Sequence, residues 1–108
     1  MSKSDLHFQL VKFCQEKNYK LIQEYKFNVD RRWKADYFIP EINLLIEYEG
    51  LGGNTRSGNG GHQTKSGYTS NCEKYNSACL LGYKLLRYTA LNTHQLLNDL
   101  ELLRNRIF

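Results

Sequence analysis

Residues 33–49, WKADYFIPEINLLIEYE, carry the strongest structural signal in this chain because they predict a β-hairpin. An aromatic-rich segment and a run of Leu, Ile and Tyr stand on either side of Pro40-Glu41-Ile42-Asn43, which is typical of a turn. If Pro40 and Asn43 flank the turn, the register places Asp36 directly opposite Glu47. Their Cβ atoms would then be about 4.5–5.5 Å apart on one face of the sheet.

The two facing acids need compensation. Two unit negative charges about 5 Å apart repel by roughly 1 kcal/mol in water and by about 3 kcal/mol at an effective dielectric near 20. Because side chains alternate along a strand, Glu49 falls on the same face as Glu47 and adds a third acid. The three acids predict a divalent cation, since Mg²⁺ and Mn²⁺ favour carboxylate oxygens. The alternative is a solvated strand face balanced by Lys34 and other basic neighbours.

Length and composition bound the class of protein. A chain of 108 residues predicts a single domain over residues 1–108 that buries a core without disulfides or metal staples. No long apolar run and no secretory leader stand in the sequence, so we expect a cytoplasmic protein with no membrane partner. The formal charge of +4 suits a nucleic-acid partner without requiring one.

The three cysteines do not predict a metal centre. Cys14, Cys72 and Cys79 form an odd set without a CxxC pair, and each falls in a predicted helix. Cys72 and Cys79 are two helical turns apart on one face. We therefore expect them to be small apolar packing residues rather than zinc ligands.

The segments around the hairpin predict an α-β-β-β-α-β-α order, that is, an α/β (α+β) fold with a mixed sheet flanked by helices. The signals are capping residues, apolar stripes at helical spacing and a glycine stop. The predicted elements are a helix from Ser4 to about Lys17, a strand from Tyr19 to Phe27, a helix from about Asn71 to Leu81 capped by Ser70 and ended by Gly82, a strand from Tyr83 to Tyr88, and a helix from Asn92 or Thr93 with a buried stripe of Leu96, Leu97, Leu100, Leu103 and Ile107.

Between the hairpin and the second helix, residues 50–68 are rich in Gly, Ser, Asn and Thr. A structureless loop of roughly nineteen residues is uncommon in a compact domain and is usually functional or disordered. Its position after the acidic strand predicts an active-site loop. A plain flexible linker is the alternative.

This order and five short motifs resemble the PD-(D/E)XK, or restriction-endonuclease-like, nuclease superfamily, and in particular its small, often phage-encoded endonucleases. The likeness runs from about Glu24 to Thr89. The motifs are Arg31-Arg32-Trp33-Lys34-Ala35-Asp36, Glu47-Tyr48-Glu49-Gly50, Gly61-His62, Glu73-Lys74-Tyr75-Asn76 and Gly82-Tyr83-Lys84-Leu85-Leu86-Arg87.

The resemblance implies roles for individual residues. Asp36 and Glu47 match the two acids of the superfamily, but its lysine, two residues after the second acid, is Glu49 here. Lys74, Lys65 and Lys34 are the candidates for a displaced lysine. By the hairpin register, Lys34 is also a candidate for a structural ion pair with Glu49.

The chemistry that the resemblance implies is Mg²⁺- or Mn²⁺-assisted hydrolysis of DNA phosphodiesters. Asp36 and Glu47 would hold the metal, with Glu49 as a further ligand or proton acceptor and Glu24 as a ligand to a second metal. His62 would assist the leaving group, contact phosphate or ligate metal, and a displaced Lys74 would take the lysine's catalytic role. His7 and His94 are expected to be surface residues.

DNA would be the partner, in the host cytosol if the chain is phage-encoded, and many relatives cut as homodimers. The residues expected to neutralise DNA phosphates are Arg31, Arg32, Arg56 and Lys65. Two alternatives stay open at this point. One is a DNA-binding module that keeps the fold without activity, and the other is a zinc-dependent HNH-type nuclease using His62, which lacks a second histidine nearby.

Overall fold

A computed structural model describes residues 3–49 and 65–107. Its elements are α1 (Lys3–Lys17), β1 (Ile22–Lys26), β2 (Lys34–Ile39), a 3-10 turn (Pro40–Ile42), β3 (Leu44–Tyr48), α2 (Lys65–Leu80), β4 (Lys84–Tyr88), a second 3-10 turn (Thr93–Gln95) and α3 (Leu96–Ile107). This is the predicted order, an α+β arrangement with a four-stranded mixed sheet. Within the described ranges, no helix has both the length and the apolar character needed to cross a membrane.

The hairpin has the predicted register. β2 and β3 are antiparallel and pair Tyr37 with Ile46, Phe38 with Leu45 and Ile39 with Leu44. The turn closes because Asn43 adopts a left-handed conformation, with φ 52° and ψ 46°, and donates its N–H to the carbonyl oxygen of Pro40 at 3.1 Å. Asparagine tolerates this conformation better than most residues.

The strands are arranged in the order β1-β2-β3-β4, which places β3 inside the sheet. β1 is antiparallel to β2, whereas β4 is parallel to β3. The α2 helix provides the crossover that a parallel pair requires. Because β3 has a neighbour on each side, its acidic carboxyl end lies between β2 and β4.

One face of the sheet is covered by α1 and α3. Its core contains side chains of both helices and of three strands, among them Leu6 and Leu10 of α1 and Leu96 and Leu100 of α3, all fully buried. The strands contribute alternate residues to this face, in line with the period of two. They are Tyr37, Ile39, Leu44, Ile46 and Tyr88.

The other face is covered by α2 and holds a smaller core. Its buried members are Phe27, Ala35, Phe38, Leu45 and Ala78, with Tyr25 and Tyr83 packed against them. Tyr25 stacks on Phe38 with ring centroids 4.2 Å apart. Alternation puts the side chains of Glu47 and Glu49 on this same face as Leu45, so α2 covers the acids as well as the core.

Three predicted boundaries were wrong. α2 begins at Lys65, before the predicted cap Ser70, so it takes over the end of the predicted loop. The low helix propensity of Ser, Thr and Gly is a small effect that tertiary context can override. Adding residues to an existing helix also costs less free energy than starting a new one. Ser4 lies inside α1 rather than capping it, and β1 begins only at Ile22.

Three predicted packing residues also proved wrong. Cys72 and Cys79 are exposed, although Cys14 is buried. α2 turns Ala78 toward the sheet, so the face with the two cysteines meets solvent. Leu97 is also largely exposed, because the buried line of α3 passes through Leu96 and Leu100. Periodicity identified these faces as apolar but could not show which one would be covered.

Candidate functional site

Asp36 lies where the β2–β3 ladder ends. The ladder pairs reach Tyr37 and Ile46, and one residue further along, Asp36 Oδ2 accepts the main-chain N–H of Tyr48 at 2.8 Å. The side chain of Asp36 therefore takes the place of a ladder acceptor at the splayed end of the hairpin. A carboxylate held by a backbone donor has a fixed orientation toward its neighbours.

Glu47, on β3, is buried, with 7% of its surface exposed. Lys74 of α2 brings its Nζ to 2.8 Å from Glu47 Oε2. At this distance the lysine ammonium is the charged partner of the buried Oε2. Burial raises the pKa of Glu47, and Lys74 opposes that rise while the charges of Asp36 and Glu49 add to it.

Of the three candidates for the displaced lysine, Lys74 is the one that the structure places beside an acid of the site, Glu47. The Lys74 side chain is only 16% exposed. Ala78, one turn further along α2, is buried against the sheet, which directs this side of the helix inward. Lys65 and Lys34 are both exposed. Lys34 pairs with Lys26 across the β1–β2 ladder.

Glu49 is engaged by two side chains that the sequence patterns did not connect with it. Tyr75 of α2 donates its hydroxyl to Glu49 Oε2 at 2.5 Å, and Arg87 of β4 donates Nε to the same oxygen at 3.0 Å. The Arg87 guanidinium also stacks on the Tyr75 ring, 3.8 Å from its centroid. Burial and the hydrogen bond to Glu49 raise the pKa of Tyr75 far above its usual value, so it remains a donor. The predicted Lys34–Glu49 pair is therefore replaced by Arg87–Glu49.

Lys3, in the first turn of α1, is a member of the site that the sequence patterns did not indicate. Its Nζ lies 3.3 Å from Asp36 Oδ1, with the lysine side chain 49% and the aspartate side chain 20% exposed. Partial burial lowers the pKa of Lys3, but the charge of Asp36 and its hydrogen bond outweigh this and leave the pKa raised. No local pattern could have revealed this contact, because it joins the first helix to the middle of the chain.

Glu24 lies on β1 at the level of Asp36, between the ladder pairs Gln23–Tyr37 and Tyr25–Ala35. It is exposed and has a left-handed backbone, with φ 52°. Its charge is close enough to raise the pKa values of Lys3 and Tyr37. Glu24 is therefore near the acids, at their solvent side.

His7 was expected at the surface, yet it is partly buried. Its Nδ1 lies 3.0 Å from the hydroxyl of Tyr37, and the two rings are tilted with centroids 5.7 Å apart. The pair ties α1 to β2 beside Asp36. The sequence contained a signal for this partial burial, because His7 lies one residue after Leu6 and three residues before Leu10, and both leucines are buried on the same helix.

Arg31 and Arg32 lie between β1 and β2, and both are exposed. Arg31 stacks on Trp33, with its Cζ 3.9 Å from the ring centroid, and reaches Glu73 of α2 at 3.9 Å. The structure therefore places this arginine on the α2 side of the sheet. Arg56, His62 and most of the predicted active-site loop lie outside the described residues.

Each acid of the cluster formed by Asp36, Glu47 and Glu49 has a basic partner, so the formal charges of the cluster and its partners cancel. The ion pairs are Asp36–Lys3, Glu47–Lys74 and Glu49–Arg87. Across residues 3–49 and 65–107, no three His, Cys, Asp or Glu side chains converge as a metal-binding group. Asp36 and Glu49 both lie close enough to Glu47 to raise its pKa, and Glu49 is also bonded to Tyr75 and Arg87.

The comparisons with known proteins add no family. No family model matches this chain, and neither a curated protein nor a solved structure matches it. The chemistry of the site has to be inferred from its own side chains.

Proposed function

We propose that this chain is a metal-dependent endonuclease that hydrolyses phosphodiester bonds in DNA, with a restriction-endonuclease-like core. The observation that carries the proposal is the meeting of Asp36, Glu47 and Lys74 at the end of the hairpin. Lys74 approaches Glu47 to 2.8 Å from a different element. Two acids and one lysine are the set that the resemblance implies, with the lysine supplied by α2 instead of position 49.

The element order and sheet topology support the same proposal. An antiparallel β1-β2-β3 meander followed by a helical crossover to a parallel β4 agrees with the αβββαβ core that the resemblance implies. Asp36 and Glu47 lie on adjacent strands of this sheet, and Lys74 reaches Glu47 from the crossover helix.

The donor set fits a divalent cation. Glu47 Oε2 is a buried carboxylate oxygen with the Lys74 ammonium 2.8 Å away, and Asp36, on the adjacent strand, is held by a backbone donor. Mg²⁺ is commonly bound through one or two carboxylates, with waters and substrate phosphate completing its shell. Asp36 and Glu47 would hold the ion, which when bound polarises a phosphate and lowers the pKa of a water. Glu24, exposed on β1, is the nearby acid that would join them, whereas Glu49 is held by Tyr75 and Arg87.

The chain's own residues have separate tasks in this proposal. Lys74 opposes the rise that burial causes in the pKa of Glu47, and it puts a cation where charge develops on a bound phosphate. Tyr75 and Arg87 hold Glu49 in place, so this acid positions α2 rather than being free to swing. Lys3, half-exposed, is the partner of Asp36 that is most easily displaced by substrate or ion.

The test is cleavage of supercoiled plasmid with Mn²⁺ or Mg²⁺ by the wild type and by Asp36→Ala, Glu47→Ala and Lys74→Ala. We expect both acid variants to lose cleavage and Lys74→Ala to fall by at least roughly 10²-fold, in the range of a lost general acid–base or charge-stabilising group. Glu16→Gln, an exposed acid of α1, is the matched control. Undiminished cleavage by both acid variants would contradict the proposal.

A second candidate is a DNA-binding module without activity. The observation that favours it is that each acid already has a cation partner, a balanced arrangement that needs no metal. It predicts salt-sensitive DNA binding without product. Metal-dependent nicking that requires Asp36 and Glu47 would exclude it.

A further inference from the structure

Arg87 lies beside the acidic cluster on β4. The parallel register pairs Arg87 with Glu47, so both side chains point to the α2 face of the sheet. The guanidinium is fixed from two sides, by Nε to Glu49 Oε2 at 3.0 Å and by its face against the Tyr75 ring at 3.8 Å. A long side chain that is usually mobile is thereby held in one orientation.

Half of the Arg87 side chain is nevertheless exposed. A guanidinium carries five N–H donors, and four of them belong to the two Nη groups. Because Nε is directed to Glu49 and one face lies on Tyr75, we infer that the Nη groups are the part of the guanidinium left for a ligand. This edge is the fork that matches two oxygens of a phosphate group.

We propose that Arg87 is a phosphate-binding residue of this site, presenting its Nη groups to a phosphodiester of DNA that lies across Asp36 and Glu47. The assignment rests on the DNA-binding part of the proposed function. Glu49 and Tyr75 then have a defined task, because they hold the arginine in place before DNA arrives. A preorganised donor loses less side-chain freedom on binding than a free arginine would.

The charge of the neighbourhood agrees with this role. Glu49 is neutralised by Arg87 itself and bonded by Tyr75, while Glu47 is neutralised by Lys74. A phosphate approaching the Nη edge therefore meets a balanced surface rather than three bare acids. Arg31, which stacks on Trp33, differs because its exposed charge is shared with Glu73 away from the acids.

The experiment measures the affinity of a short fluorescein-labelled duplex by anisotropy over a range of salt concentrations, with Ca²⁺ or EDTA instead of Mg²⁺. We expect Arg87→Ala to weaken binding and to lower the slope of log Kd against log salt by about 1, the loss of one phosphate contact. Arg87→Lys keeps the charge but not the planar fork, and its affinity should lie between those of the wild type and Arg87→Ala.

Two controls separate a phosphate contact from a structural effect. Arg106→Ala removes the same charge from an exposed position on α3, which packs on the opposite face of the sheet. This variant should leave the slope unchanged. Lys84→Ala removes an exposed charge from the other end of β4, outside the acidic cluster, and should also keep the wild-type slope. Circular dichroism of each variant verifies the fold.

The outcomes distinguish this inference from the proposed function. A wild-type slope in Arg87→Ala, or an equal decrease of the slope in Lys84→Ala or Arg106→Ala, overturns the phosphate role even if the protein cleaves DNA. A loss confined to Arg87 supports the role even if no cleavage is found, in which case only the nuclease proposal fails. A wild type that does not bind DNA overturns both.

Discussion

At the scale of single residues, this protein has acids that are each held by a different kind of partner. Asp36 accepts a backbone N–H, Glu47 faces a lysine, and Glu49 shares one oxygen between a phenol and a guanidinium. The three environments differ in burial, and Glu47 is the most enclosed. This burial is the main cause of the raised pKa of Glu47.

The hydroxyl of Tyr75 should contribute to stability through Glu49. Tyr75→Phe removes the donor but keeps the ring on which Arg87 stacks, so we expect a loss of about 1 kcal/mol in the free energy of unfolding. Urea denaturation measures it. Tyr68→Phe, on the same helix and 63% exposed, is the control that should change little. Equal effects of the two substitutions would contradict the role of the Glu49 contact.

The cysteines should differ in reactivity. Burial raises the pKa of Cys14 to about 11, whereas Cys72 and Cys79 are exposed. Because the thiolate is the reactive form, iodoacetamide near pH ~8 should label Cys72 and Cys79 in the folded protein and Cys14 only after denaturation. Mass spectrometry of the peptides identifies which cysteines carry the label. Rapid labelling of Cys14 under native conditions would show that this thiol is not buried in the folded protein.

The raised pKa of Cys14 should lower the stability of the folded protein at high pH. The folded pKa of Cys14 lies above the reference value of 9.0, so the folded state holds this proton more tightly than the unfolded chain. Its contribution is complete below about pH 9 and is lost as the pH rises toward about 11. Cys14→Ala should remove this part of the alkaline decline, which thermal melts at several pH values would reveal.

At the scale of elements, the ends of the helices and turns position the site. Gly82 ends α2 with φ +93°, and its carbonyl oxygen accepts Nδ2 of Asn43 at 2.8 Å. The hairpin turn is thus tied to the C-terminal end of the helix that carries Lys74 and Tyr75. The N–H of Lys84 donates to the Asn43 carbonyl at 3.1 Å and continues this link into β4.

Gly82→Ala should destabilise the protein by about 1–2 kcal/mol, the cost of a left-handed backbone for a residue with a Cβ. The space around an added Cβ is open, so the cost comes from the backbone rather than from a clash. Gly82→Asn should be milder, because asparagine tolerates this conformation. Thermal unfolding compares the two, and an alanine variant as stable as the wild type would contradict the cap.

At the scale of the whole molecule, two cores lie on opposite faces of one sheet, and the site lies at the strand ends between the helices that cover them. Lys3 reaches Asp36 from α1, while Lys74 reaches Glu47 from α2. The acidic cluster therefore contacts the helices on both faces of the sheet. Anything that binds Asp36 and Glu47 should stabilise the folded protein as a whole, since the unfolded chain does not hold the acids together.

Mn²⁺ should raise the stability of the wild type, by about 2.7 kcal/mol at a free concentration roughly 100 times Kd. The double variant Asp36→Asn/Glu47→Gln should show no such gain, because it lacks the two carboxylate ligands. Differential scanning calorimetry with and without the ion measures the shift. Glu16→Gln, the control, should respond as the wild type does, and an unchanged gain in the double variant would place the ion elsewhere.

Local signals in the amino-acid sequence were enough to specify the hairpin, its register and the order of elements. A proline turn, strand alternation and a glycine stop each act over a few residues, so they bring Asp36 and Glu47 together without any information from distant parts of the chain. The resemblance to a nuclease superfamily then named Lys74 as one of three lysines. The choice among these lysines, and the addition of Lys3, Tyr75 and Arg87, came from tertiary packing, because the way α1, α2 and β4 pack sets which side chains meet. Such contacts join residues far apart in the chain and leave no periodic trace in it.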